Sequence, residues 1–250
     1  MKVFSVTGVS GSGKTTTIEK IIGELKKRNY SVGSVKEIHF EEFAIDEKGT
    51  NTYRHSQAGA EPVTARGYEE TDLLFKKRLS LNNIFSFYNQ DYLILEGINK
   101  DYIPRIITAH NKKDIEEQLE KKGPVFAIGG RVSEKTDDYK GIPVFNPLTE
   151  AELLTDYVQK KVFSRLPCFS QNCCGDCGYS CAELAKLIIK GQAERSDCSL
   201  EQKKVRLSIG GQEIEMVDFV QKILKNTVLG VVSELDGYQE NKKIKIEIGN

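Results

Sequence analysis

The run Gly8-Val9-Ser10-Gly11-Ser12-Gly13-Lys14-Thr15 reads G-x-x-x-x-G-K-[ST], and each residue type in that spacing answers a need of phosphate chemistry. Glycines let the backbone bend so that successive N–H groups face one concavity and cradle phosphate oxygens. A helix that starts where the loop ends adds the positive end of its dipole. Lys14 is placed to reach β- and γ-phosphates, and the Thr15 hydroxyl to ligate Mg²⁺. The nucleotide-binding set predicted from the motif is Gly8, Ser10, Gly11, Ser12, Gly13, Lys14, Thr15 and Thr16.

Two further groups could do chemistry. Residues 91–97 form an apolar run closed by Glu96. Ligands of open α/β sheets bind at the carboxyl ends of strands, so Glu96, rather than Asp91 at the strand's start, is the expected acid beside Mg²⁺ and the candidate catalytic carboxylate. All six cysteines, Cys168, Cys173, Cys174, Cys177, Cys181 and Cys198, lie in one short stretch. In a cytosolic chain such clustering argues for metal or redox chemistry rather than disulfides.

The elements that must position these residues follow from periodicity. Residues 3–7 read as a buried strand before the loop. Ile18, Ile21, Ile22 and Leu25 fall on one helical face after it. Residues 31–38 predict a second strand carrying Lys36 and His39 toward the site. Residues 43–55 are polar and loop-like, then helical to about 58. Short strands are expected at 62–65 and 72–75, helices at 79–88 and 113–121, and strands at 92–96, 103–109, 125–130 and 142–145. A helix at 149–161 would be capped by Thr149, with Leu153, Leu154, Tyr157 and Val158 on its inner face. The alternation predicts an α/β, P-loop NTPase three-layer fold with a mostly parallel sheet. The expected domains are 1–162, nucleotide-binding; 163–200, an iron–sulfur module; and 201–250, a small ββαβ unit. In that last unit a hairpin spans 204–215. A helix over 217–229 turns Phe219, Val220, Ile223 and Leu224 inward, and a strand covers 243–248.

Composition excludes several classes. Thirty-six basic and 36 acidic residues cancel to zero net charge, so no polyanion-binding surface and no nucleic-acid partner is expected. No apolar run approaches a membrane span. With no leader-like start, the expected location is cytoplasmic. Asn99-Lys100-Asp101-Tyr102 approaches the guanine-reading N-K-x-D pattern but has Tyr102 where the acid belongs. It does not choose the base.

Taken together, residues 8–22, Lys36 to His39, residues 46–60 (DEKGTNTYRHSQAGA) and residues 94–97 (ILEG) resemble the molybdopterin-guanine dinucleotide biosynthesis protein B (MobB) family over about residues 1–160. The resemblance implies a GTP-binding protein, usually dimeric, that assists the guanylyltransferase attaching GMP to molybdopterin. It also implies that Lys36, Asp46, Tyr53 and Arg54 lie near nucleotide or cofactor.

Residues 166–198 offer Cys174-x2-Cys177-x3-Cys181-x16-Cys198 as ligands for a [4Fe-4S] cluster, with Cys168 or Cys173 as substitutes. Gly191 would end a helix over 182–190. The stretch resembles the small iron–sulfur domain of corrinoid iron–sulfur proteins, with one residue fewer between its second and third cysteines. A four-thiolate zinc site is the rival. The leading expectation is a GTP- and Mg²⁺-dependent accessory protein of molybdenum or tungsten cofactor maturation carrying an iron–sulfur module. Its partners would be the guanylyltransferase, a client molybdoenzyme or molybdopterin. Any GTPase activity is expected to be weak, since no arginine finger is evident. Two other readings stay open: a redox-regulated P-loop switch in metalloenzyme assembly or electron transfer, and a small-molecule kinase, for which Arg54, Arg66 and Arg105 are the available lid arginines.

Overall fold

Val3, Phe4, Ser5, Val6 and Thr7 are all buried, as expected of a strand covered on both faces. They form β1 (Lys2–Gly8), the middle strand of the main sheet. It is followed by α1 (Lys14–Lys27), β2 (Val32–Lys36), α2 (Asn51–Gln57), β3 (Val63–Arg66), β4 (Thr71–Leu74), α3 (Leu81–Phe85) and β5 (Tyr92–Glu96). Then come β6 (Arg105–Thr108), α4 (Lys112–Leu119), β7 (Val125–Gly129), β8 (Asp138–Tyr139), β9 (Ile142–Pro143), α5 (Ala151–Lys161) and α6 (Cys181–Lys190). The chain ends with β10 (Leu207–Ile209), β11 (Gln212–Ile214) and α7 (Asp218–Val232). The computed structural model describes residues 1–40, 42–167, 177–198, 205, 207–209, 212–214, 216, 218–239 and 244–248. It divides into two compact units, Met1–Glu194 and Arg195–Asn250, whereas the sequence reading divides the chain after 162 and 200.

In the first unit the sheet order is β2-β5-β1-β6-β7, every neighbouring pair parallel. The register sets Val3 beside Leu93 and Phe4 beside Ile94, so alternate residues face opposite layers. Val3, Leu93 and Leu95 pack with Phe85 of α3, and Ile107 and Ile128 with Ile115 of α4. On the other side Phe4 meets Phe126, which meets Tyr157 of α5, and α1 packs beside α5. The α/β, mostly parallel architecture follows the expectation. β3–β4 and β8–β9 are separate antiparallel pairs.

Three details depart from the sequence reading. Thr149 does not cap α5: the helix starts at Ala151 after Glu150, whose carboxylate accepts from the Asn146 N–H at 2.7 Å while its own N–H donates back to Asn146 O. That reciprocal turn leads the chain into the helix, whose first turn has no side-chain cap. Leu153 is exposed, and Leu154, Thr155 and Val158 form the buried face. In the second unit the hairpin and helix form, but residues 244–248 make no strand, and Phe219, Val220 and Ile223 are exposed rather than inward.

One charged side chain is built into the core. Arg105 has no solvent exposure, and burial lowers its pKa to about 10. Its five N–H donors are matched by five neutral oxygens: Gly123 O at 3.0 Å, Thr7 Oγ1 at 3.1 Å, Asn99 Oδ1 at 3.3 Å, Gln118 O at 2.7 Å and Lys121 O at 2.6 Å. It ties the end of β1, the loop after β5 and the end of α4 together, so it is no lid arginine. Arg105→Met strands these acceptors and should destabilise the fold by on the order of 3 kcal/mol. Urea unfolding of the variant checks this. An unchanged midpoint would show that the network contributes nothing net.

Candidate functional site

β1 ends at Gly8, and the backbone must turn at once to start α1. Two glycines make the turn: Gly11 at φ 69° and Gly13, the helix N-cap, at φ 103°. Both lie in the left-handed region that favours glycine. Close approach constrains two more. A Cβ on Gly8 would stand 2.2 Å from Thr108 O, and one on Gly130 would stand 2.2 Å from Ser12 O. The loop is therefore clamped against the ends of β6 and β7. Ser12 is buried, and its Oγ donates to Val9 O at 2.8 Å and meets Thr108 Oγ1 at 2.7 Å. His110 Nε2 lies 3.1 Å from Ser10 O.

A cleft of about 920 Å³ opens over this loop. Gly8, Ser10, Gly11, Gly13, Lys14, Thr15 and Thr16 line it, while Ser12 supports the loop from beneath. Lys14 lies over the loop, with Nζ donating to Gly8 O at 3.1 Å and Val9 O at 2.7 Å. Burial lowers its pKa; nearby Glu96 opposes that shift, and Lys36 and Lys121 reinforce it. An anion in the cleft would favour the charged form of Lys14 and offset the repulsion from Lys36 and Lys121.

The structure brings Glu96 and Lys36 to the same place. Glu96 Oε1 accepts from Lys36 Nζ at 2.7 Å and from Thr15 Oγ1 at 3.4 Å. The residues after the two adjacent strands, Glu37, His39 and Gly97, continue the wall. Asp46, Tyr53 and Arg54 do not line the cleft. Asp46 accepts from Thr50 at 2.7 Å, Thr52 at 2.8 Å and Lys76 at 3.4 Å, and the Thr50 hydrogen bond leads in holding its carboxyl below the usual range. Lys76 also lies over the Tyr53 ring. Asp46, Lys76 and Tyr53 form a cluster around the start of α2, the helix that also carries Arg54.

Sequence reasoning passed over Gln118 and Lys121, which the end of α4 adds to the cleft, and set aside Asn99, which also lines it. On and just past a helix rich in Lys and Glu, Gln118 and Lys121 carry no sequence signal. Arg105, a charge within an apolar strand, marks a buried group that needs partners, though the sequence does not say which.

Of the proposed cysteine ligands, Cys174 and the substitutes Cys168 and Cys173 lie outside the described residues. Cys177 is half-buried and its Sγ lies 3.4 Å from Tyr179 O. Cys181 is buried at the start of α6, which has a Ser180–Glu183 capping box and ends on Gly191 at φ 74°. Cys198 belongs to the second unit. Among the described residues no group of three or more His, Cys, Asp or Glu side chains is placed to hold a metal, and no helix is long and apolar enough to cross a membrane.

The profile of the family described as Molybdopterin guanine dinucleotide synthesis protein B matches residues 3–129. A molybdopterin-guanine dinucleotide biosynthesis adapter protein of Methanocaldococcus jannaschii is 32% identical over a 257-residue alignment, covering 99% of this chain and 97% of its own length. That likeness therefore runs on through the cysteine stretch. A relative of the same description from Bacillus subtilis is 28% identical over 148 residues, 58% of this chain and 84% of its own. The crystal structure of Bacillus subtilis MobB is similar to 66% of this chain over 100% of its length, with a TM-score of 0.54 and 25% identity.

The clamp generates a paired test. Gly130 and Gly141 both have positive φ, but a Cβ on Gly141 meets nothing within 4 Å. Gly130→Ala should lower the melting temperature by roughly 5 °C or more, and Gly141→Ala by roughly half that or less, since only the first adds a backbone clash to the φ penalty. Equal shifts in calorimetry would show that β7 does not hold the loop.

Proposed function

The chain belongs to the Molybdopterin guanine dinucleotide synthesis protein B family, and from that premise we propose that it is a GTP-binding adapter protein of molybdopterin guanine dinucleotide biosynthesis. The observation that carries the nucleotide part is the convergence of the glycine loop, Lys14, Thr15 and Glu96 on one cleft. Loop N–H groups and the start of α1 bind the phosphates. Lys14 exchanges its two carbonyl contacts for phosphate oxygens, a charged acceptor in place of neutral ones. The Thr15 and Glu96 oxygens are hard donors that fit Mg²⁺, and these two residues would hold it. When bound, Mg²⁺ neutralises charge on the phosphates. Lys36, on Glu96 in the free protein, then turns to the phosphates or to a second anion.

Among the described residues lining the cleft there is no arginine, which fits an adapter that hydrolyses GTP slowly on its own. Arg105, one of three arginines a kinase lid could use, is committed to the scaffold. The proposal includes a dimeric, cytoplasmic protein that works beside the guanylyltransferase or a client enzyme; the relatives' names say only that they are adapter proteins of molybdopterin-guanine dinucleotide biosynthesis. The cysteine stretch stays part of it as a proposed [4Fe-4S] or zinc site of Cys174, Cys177, Cys181 and Cys198. Iron and zinc content of anaerobically prepared full-length protein, against Cys177→Ser, tests that site: equal metal in both removes Cys177 from the ligand set.

Lys14→Ala should weaken triphosphate binding by about tenfold to a hundredfold, the size of a lost charge-assisted contact, with the fold intact. Glu96→Gln should keep metal-free GTP binding and lose the Mg²⁺-dependent gain. Calorimetric titration reads both. Wild-type affinity in Lys14→Ala would remove the phosphate assignment, and an unchanged Mg²⁺ dependence in Glu96→Gln would leave Glu96 as a partner of Lys36 only.

A further inference from the structure

One arm of the cleft is not explained by phosphate binding. Gln118 lines the cleft and is 1% exposed, yet neither its Oε1 nor its Nε2 has a hydrogen-bond partner among the described residues. Buried polar groups are almost always paired, and a carboxamide open at both ends has most to gain from a ligand that offers a donor and an acceptor together. Asn99 and Lys121 line the same arm. Arg105 sets all three, donating to Asn99 Oδ1, Gln118 O and Lys121 O. A fully buried side chain has thus built this wall in place. The charge of Lys121 is felt at Lys14, so the arm opens beside the phosphate-binding residues rather than on a remote surface.

We infer that Gln118, with Lys121 and Asn99, is a recognition subsite for the 2-amino-4-oxopyrimidine edge that guanine and pterins share. The inference rests on the nucleotide reading of the cleft given above. Gln118 Oε1 accepts from the ring N–H of that edge, and Nε2 donates to the adjacent lactam oxygen, as two parallel bonds. The Lys121 ammonium is a donor only, which suits a lactam oxygen. Adenine presents an amino group at that position, donor against donor with the Lys121 ammonium; the Gln118 carboxamide can turn over to meet either ring, so the preference for the oxo ring comes from Lys121. The edge can come from the GTP held by the loop or from the pterin of a second ligand.

Calorimetric titration of the full chain with Mg²⁺ separates these sources. The probes are inorganic tripolyphosphate, non-hydrolysable GTP and ATP analogues, and 6-methylpterin; the proteins are wild type and Gln118→Ala, with folding checked by circular dichroism. If the guanine of the bound nucleotide uses the subsite, Gln118→Ala weakens the GTP analogue roughly tenfold and leaves tripolyphosphate and the ATP analogue unchanged. If a pterin uses it, the GTP analogue is unaffected. Binding of 6-methylpterin to analogue-saturated protein then falls by roughly that factor. Equal affinities in wild type and variant for all four probes, or an equal loss for the GTP and ATP analogues, overturn the inference. Failure of wild type to bind tripolyphosphate would instead indict the loop reading, with the pterin arm still readable by itself. Should Gln118→Ala not fold, Gln118→Glu keeps the shape, removes the donors to the lactam oxygen and is held to the same outcomes.

Discussion

The contact on which the site depends is the one between the loop and the end of β6. Ser12 Oγ and Thr108 Oγ1 are 2.7 Å apart, and Gly8 and Gly130 are so close to facing backbone that neither has room for a methyl group. A loop rich in glycine would otherwise sample many conformations. Pressed between two strands, it presents its N–H groups in one arrangement before any ligand arrives. Parallel strand order makes this contact possible, because it sets the ends of β1, β6 and β7 side by side.

The charge pattern of the cleft follows from the same arrangement. Lys14, Lys36 and Lys121 converge from three elements, with Glu96 as the carboxylate bonded to Lys36. A chain of zero net charge therefore carries a locally cationic cleft, which the overall composition conceals. The free protein holds its lysines by provisional bonds: Lys14 on loop carbonyls, Lys36 on Glu96. The Lys14 bonds go to neutral acceptors and are weaker than those a phosphate would offer. The cleft is ready for an anion in its electrostatics as well as its shape.

What the sequence disclosed and what it hid divide by the range of the interactions. The loop, its flanking strand and helix, and the apolar run ending at Glu96 are local patterns, and the structure sets Glu96 beside Thr15 and Lys36. The end of α6 at Gly191 was equally readable. The hidden features act over long separations. Arg105 binds partners in β1, the loop after β5 and the end of α4, and nothing near it in the chain foretells them. Gln118 reads as the solvent face of a charged helix until α4 is laid against β1 and β6. The Thr149 cap did not form because Thr149 lies in the turn that Asn146 closes, one residue before the helix N-cap at Glu150. Phe219, Val220 and Ile223 show that an apolar stripe states which face of a helix wants cover, not whether its own unit supplies it.

The most direct test is a calorimetric titration of the wild-type full chain with GTP, with and without Mg²⁺, repeated in saturating inorganic tripolyphosphate. If the clamped loop and its lysines are the handle, GTP binds at one site per chain, more tightly with Mg²⁺, and tripolyphosphate displaces it. Saturable GTP binding that ignores tripolyphosphate, or no GTP binding at all, would contradict the assignment of the cleft.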